Sequence, residues 1–182
     1  MPIDLEDKLL VRSVGLFWEA SYVFWGAGSK AGALFGVPAK NVSVEPIDFR
    51  DQVGIYVLYA GYQMVYVGQT GSKNTFLLNR LKQHGKDDLA GRWDRFSWFG
   101  LRWVKKNGEL SAVVDAHHPS TSRTLNHIEA ILIHAAEPPL NRQGGRFGDD
   151  VVRYIQSRDN RLGPTDRDLL VAVHKATLDQ TK

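Results

Sequence analysis

Tyr56 and Tyr66 stand ten residues apart in VGIYVLYAGYQMVYVGQT, a stretch with four tyrosines and no formally charged side chain. If Ala60-Gly61-Tyr62 form a three-residue loop, Tyr56 faces Tyr66 directly and one ligand can reach both phenols. A two-residue loop breaks that pairing, because register decides which side chains meet. Taken alone, these are ordinary strand tyrosines. Arg80 and His84 follow at i and i+4, so on a helix both project from one face, with Lys73 one or two turns earlier. Glu129 lies in TLNHIEAILIHAA and shares a helical face with Leu125, Leu132 and Ile133. A carboxylate on such a face is costly unless it is paired or bound to a metal. The alternative is a capping box begun by Asn126.

Hydrophobic periodicity suggests the elements that must position these groups. Leu9, Leu10, Val14, Phe17 and Trp18 sit at helical spacing, so residues 5–25 read as a helix, with a short second one near Ala31–Phe35. Pro38 and Pro46 make VPAKNVSVEPID a linker. The tyrosine hairpin, the amphipathic helix NTFLLNRLKQH, the aromatic strand RFSWFGLRWV and the apolar helix around Glu129 come next. Two further helices are expected around Asp149–Ser157 and Thr165–Leu178. The order α–ββ–α–β–α–α describes a small α+β domain. Its divisions are an N-terminal helical extension at 1–50, a catalytic domain at 51–145 and a C-terminal helical extension at 146–182 packed on the same domain.

The 182 residues are 43% hydrophobic and 24% charged, a globular profile. There is no cysteine, which excludes disulfide frameworks, thiol nucleophiles and zinc sites with thiolate ligands. That absence suits a reducing compartment, and the expected location is cytoplasmic. Glu19 and Lys30 interrupt the apolar region 14–37, so no membrane span is expected. Net charge is +3, and residues 52–145 carry eleven Lys/Arg against seven Asp/Glu. The middle of the chain is therefore the part suited to a polyanion.

Taken together, these motifs resemble the GIY-YIG nuclease family. GIY is Gly54-Ile55-Tyr56, and the second phrase is Tyr66-Val67-Gly68, with valine in place of isoleucine. Arg80-x-x-x-His84 follows, IEAILI carries Glu129, and PPLN carries Asn141. Five weak motifs in the right order make a strong match over about half the chain, from Val53 to Asn141. The resemblance implies a small central antiparallel sheet flanked by helices, with extra helices at both ends.

It also implies roles. Glu129 would hold one divalent ion, Mg²⁺ or Mn²⁺, against a phosphate oxygen. Tyr56 would deprotonate the attacking water with help from His84 or Lys73, and Tyr66 would bond the phosphate or the water. Which tyrosine is the base stays open. Arg80 would neutralise charge at the pentavalent phosphorus. Asn141 would fix its loop or a metal-bound water, and Arg123, Arg142 and Arg146 would contact phosphates. The expected function is a metal-dependent DNA endonuclease of restriction, phage-defence or mobile-element type. An RNA-cleaving toxin or effector, or a catalytically silent nucleic-acid-binding module, is the alternative. A homodimer would supply the second cut of a double-strand break.

Overall fold

The computed structural model describes residues 11–71, 75–112, 121–136, 147 and 151–180, with the side chains of 121–126 and 178–180 outside the description. Its elements are β1 (Ser13–Glu19), β2 (Phe24–Ala27), β3 (Lys30–Ala33), β4 (Phe35–Pro38), β5 (Ile47–Asp48), β6 (Gly54–Ala60), β7 (Gln63–Gln69), α1 (Leu77–His84), β8 (Arg95–Gly100), α2 (Thr121–Ala136), β9 (Val152–Gln156) and α3 (Asp166–Gln180). Seven strands form one sheet in the order β5-β4-β9-β1-β8-β6-β7, while β2 and β3 pair separately. Strands β1 and β9 run parallel, and the other pairs in the sheet are antiparallel. The class is α+β, but the sheet is larger than expected and mixed. No helix among the described residues is long and apolar enough to cross a membrane.

Alternation along β6 sends side chains to two cores, one on each face of the sheet. Tyr56 and Leu58 join Trp18, Phe49, Phe96, Trp98 and Tyr154 under Leu77, Leu78 and Leu81 of α1. Val57 and Tyr59 join Val14 and Phe99 under Ala130, Ile131 and Ala135 of α2. The two helices thus cover opposite faces. Each fully buried large side chain contributes about 1.5–3 kcal/mol relative to exposure.

Three helical expectations are corrected. Residues 13–19 form a strand, and the spacing of Val14, Phe17 and Trp18 that imitates a helix comes from a bulge together with burial on both faces of the sheet. Register slips between Gly15 and Trp18, and Phe17 takes a left-handed φ of 52°. The extra residue puts Val14 and Phe17 on one face although they are three apart. Residues 30–38 form β3 and β4 rather than a second helix, and Ile47–Asp48 of the expected linker pairs with β4. Residues 152–156 form β9, which lies between β4 and β1. Strands drawn from 13–48 and from 152–156 therefore share one sheet with the tyrosine hairpin. The helix expected after Thr165 is present as α3. Leu5, Leu9, Leu10, Asp149 and Asp150 lie outside the described residues.

Candidate active site

The hairpin closes with a two-residue turn, Gly61-Tyr62, not three. Ala60 pairs with Gln63, and Gly61 at φ 60° takes the first central position, as type II′ turns require. A register shift between Leu58 and Tyr59 then places Tyr56 opposite Gly68 and Tyr66 opposite Leu58. The two tyrosines remain on one face as diagonal neighbours, with ring centroids 6.1 Å apart. The motif glycines make room for this. A Cβ at Gly68 would overlap the ring and hydroxyl of Tyr56. Gly54 has φ 146°, and a Cβ there would run into the carbonyl of Phe99.

Helix α1 brings in the other groups. It has no side-chain N-cap; the Leu77 and Leu78 N–H groups instead donate to the carbonyls of Gln52 and Arg50, at 3.0 Å each. These bonds satisfy orphan donors of the first turn and pin the helix to the start of β6. Gln52 is itself buried, donating to Ser13 Oγ and the Arg102 carbonyl and accepting from the Val53 and Arg102 N–H groups. Arg80 and His84 consequently project towards Tyr56.

The Tyr56 hydroxyl and His84 Nε2 are 2.7 Å apart, and His84 Nδ1 lies 2.7 Å from Asp87 Oδ2. An ionised carboxylate only accepts, so Asp87 fixes the proton on Nδ1 and leaves Nε2 to accept from Tyr56. The other Asp87 oxygen accepts the Leu89 N–H at 2.9 Å. That bond first, then His84 and Arg80, holds the Asp87 carboxyl below its ordinary value. The Tyr56 phenol is pushed up to about 12 by burial, with Arg80 pulling it partly back through hydrogen bonding and charge and Tyr66 adding to the rise. Tyr56 has no exposed surface and His84 is 4% exposed, whereas Tyr66 and Arg80 are half-buried. Tyr66 also packs on the His84 ring, with centroids 4.8 Å apart. Arg80 Nη1 donates to Gln83 Oε1 at 2.7 Å.

Asp87 is the residue that sequence reasoning missed. Its signal is faint: an acidic residue three positions after a histidine, in a turn past the helix end.

Glu129 does not join this group. Buried His127, Ala130, Ile131 and Ala135 turn inward from α2, leaving Glu129 exposed on the far side. The helix also packs on the face of the sheet opposite Tyr56. The expectation of a carboxylate on a buried apolar face is therefore corrected. Glu129 does not fit as ligand of an ion held between Tyr66 and Arg80, and both Asp87 oxygens are already engaged. Among the described residues, no three metal-ligating side chains lie together. The backbone of Arg123 lies in α2, and Lys73, Asn141, Arg142 and Arg146 lie outside the described residues.

Comparison of the chain with protein-family models, curated proteins and solved structures finds no match.

Proposed function

We propose that this chain is a nuclease that hydrolyses phosphodiester bonds, with DNA as its first candidate substrate, and that its site is the Tyr66–Tyr56–His84–Asp87 row with Arg80 beside it. The observation that carries this reading is the 2.7 Å contact between the Tyr56 hydroxyl and a histidine nitrogen whose tautomer a carboxylate fixes. A buried phenol pushed up to about 12 stays protonated at neutral pH, so it serves as base only if its own proton has somewhere to go. His84 Nε2 is that acceptor. Tyr56 is covered, so an incoming phosphate meets Tyr66 and Arg80 first.

In the proposed step, water bonds to phosphorus and gives its proton to the Tyr66 oxygen. Tyr66 passes its proton to Tyr56, and Tyr56 passes its own to His84 Nε2. The bond to the leaving oxygen breaks, and that oxygen takes a proton from solvent. Arg80 offers a planar fork of donors to the charge on the phosphoryl oxygens. The resemblance to GIY-YIG nucleases, carried by the motif residues alone, supports the same reading. A homodimer is the proposed arrangement for cutting both strands of a duplex.

The test is incubation of purified protein with plasmid, single-stranded DNA and RNA, each in Mg²⁺, Mn²⁺ or EDTA. Cleavage of at least one substrate is expected, lost in Tyr66→Phe, Tyr56→Phe and His84→Ala. Arg80→Lys should lower the rate by orders of magnitude, because it keeps the charge but not the fork. Failure to cleave any substrate, or cleavage unchanged in all four variants, overturns the reading. The RNA arm decides between the two nucleic acids, and the EDTA arm reports whether a cation takes part.

A further inference from the structure

We propose that the cleft lined by Trp25 and Trp93 is a subsite for one unstacked base and its phosphate in a single-stranded nucleic acid, an inference that rests on the nuclease reading above. The cleft holds about 440 Å³ and lies beside the C-terminal end of α1. Both indoles are half-buried, with centroids 6.1 Å apart and planes at 84°. Their polar edges are already committed. Trp25 Nε1 donates to the Ala20 carbonyl at 3.2 Å, and Trp93 Nε1 donates to the His84 carbonyl at 3.3 Å. The rings are therefore held in place before any ligand arrives, which lowers the entropic cost of stacking on them.

Two cations stand at the rim, Lys82 and Lys86, four residues apart. Neither has an acidic partner among the described residues. Gly26 leaves room for Lys82, whose Nζ lies 3.4 Å from where a Cβ would stand. Gly85 lines the cleft without a side chain to fill it. Fixed aromatic rings beside unpaired ammonium groups are what single strands use for sequence-tolerant binding. A base paired in duplex presents only its edges, so a strand must be single or locally opened to enter.

The position relative to the proposed site is defined by α1. Arg80 and His84 project towards Tyr56, while Lys82 lies about half a turn around the helix and Lys86 follows in the turn past its end. The helix is roughly 10 Å across, so the cleft and the proposed site lie on different sides of one helix. Trp93 binds the carbonyl of the very residue whose ring holds Tyr56, so the two places are rigidly coupled.

The experiment titrates the full chain with a single-stranded oligonucleotide and with the same sequence as duplex, in EDTA, following tryptophan fluorescence at several salt concentrations. Quenching by the single strand is expected, with weaker binding of duplex. Lys82→Ala/Lys86→Ala should reduce the slope of log affinity against log salt by roughly 0.7, the value for one phosphate contact on a single strand. Trp25→Leu should weaken single-strand binding roughly 5- to 150-fold, the range for losing one stacked base. Unchanged affinity and slope in the lysine variant, or equal binding of duplex, overturns the proposal. The parent reading is tested separately by cleavage. If His84→Ala loses cleavage and keeps quenching, both hold. If no protein cleaves but quenching persists and depends on the lysines, the nuclease reading falls and the subsite remains. If cleavage proceeds with no effect of Lys82, Lys86 or Trp25 on binding, the subsite falls and the nuclease reading remains.

Discussion

Asp87 acts on the proposed chemistry only through the imidazole it holds. Asp87→Asn keeps the size and the turn but presents an amide that can donate to Nδ1. The neutral imidazole would then carry its proton on Nε2 and could no longer accept from Tyr56. Cleavage should drop by on the order of 10²–10⁴, as when a histidine base is held in the wrong tautomer. The melting temperature should hardly move, since the Asp87 side chain is about one-third exposed. Single-turnover cleavage beside a thermal melt checks this, and full activity in the variant would remove Asp87 from the site. A second residue-scale prediction concerns alkali. Tyr56 is neutral in both folded and unfolded chains below its ordinary value of 10.0, and its folded value is pushed up to about 12. Above pH 10 the unfolded chain loses that proton first, so it binds fewer protons and stability falls as pH rises towards 12. Urea melts at pH 9 and 11 should show a smaller drop for Tyr56→Phe than for the parent, with Tyr154, also raised by burial, supplying part of what remains. Arg80 and His84 were legible because the helix period alone puts them on one face, whereas Tyr56 and Tyr66 share a face only through the register shift near Leu58. Glu129 misled because a helix apolar nearly all round does not reveal which side meets the sheet. That side is chosen by His127, buried with Nδ1 accepting the Val11 N–H.

At the scale of elements, the hairpin and α1 hold the site by close approach rather than by many bonds. Gly68 is one such close approach, since the Tyr56 ring lies across it. Gly68→Ala should cost about 1–3 kcal/mol through overpacking. It should also push the phenol away from His84 and lower cleavage far more than a surface change of equal cost. A melt and a cleavage assay on the same preparation test the coupling; a variant destabilised yet fully active would mean that the Tyr56–His84 contact is dispensable. The hairpin itself was readable as two strands, but its register was not. Gly61 favours a two-residue turn, and the compensating shift near Leu58 cannot be seen in an alternating pattern. Strand β1 was lost for a related reason. Its bulge at Gly15–Trp18 puts Val14 and Phe17 on one face, and burial of Trp18 on the other completes the i, i+3, i+4 spacing of a helix. Strand β9 escaped because it is short and only Tyr154 within it is fully buried.

At the scale of the whole molecule, segments far apart in sequence close one sheet. Strand β8, which backs β6 through the Tyr56–Trp98 pair, is itself backed by β1, and β1 by β9. The Tyr56 face is filled by Trp18, Leu34, Phe49 and Tyr154, which all come from outside residues 51–145. A fragment of residues 51–145 would expose that aromatic surface and an unpaired edge of β8, a combination that invites aggregation. It should therefore fail to give a cooperative melt, although it contains every residue of the proposed relay. Helix α3 is the opposite case. Leu169, Leu170, Val171 and Val173 are all exposed, and none of its described side chains is buried. Ending the chain after Gly163 removes almost no core, so the shortened protein should melt cooperatively within a few degrees of the full chain. It should also keep its cleavage activity. Circular dichroism melts of both fragments decide the matter. A cooperative 51–145 would show that the relay's core does not need β1, β4 and β9. A large loss of stability without α3 would show that this helix carries packing that its exposed side chains do not reveal.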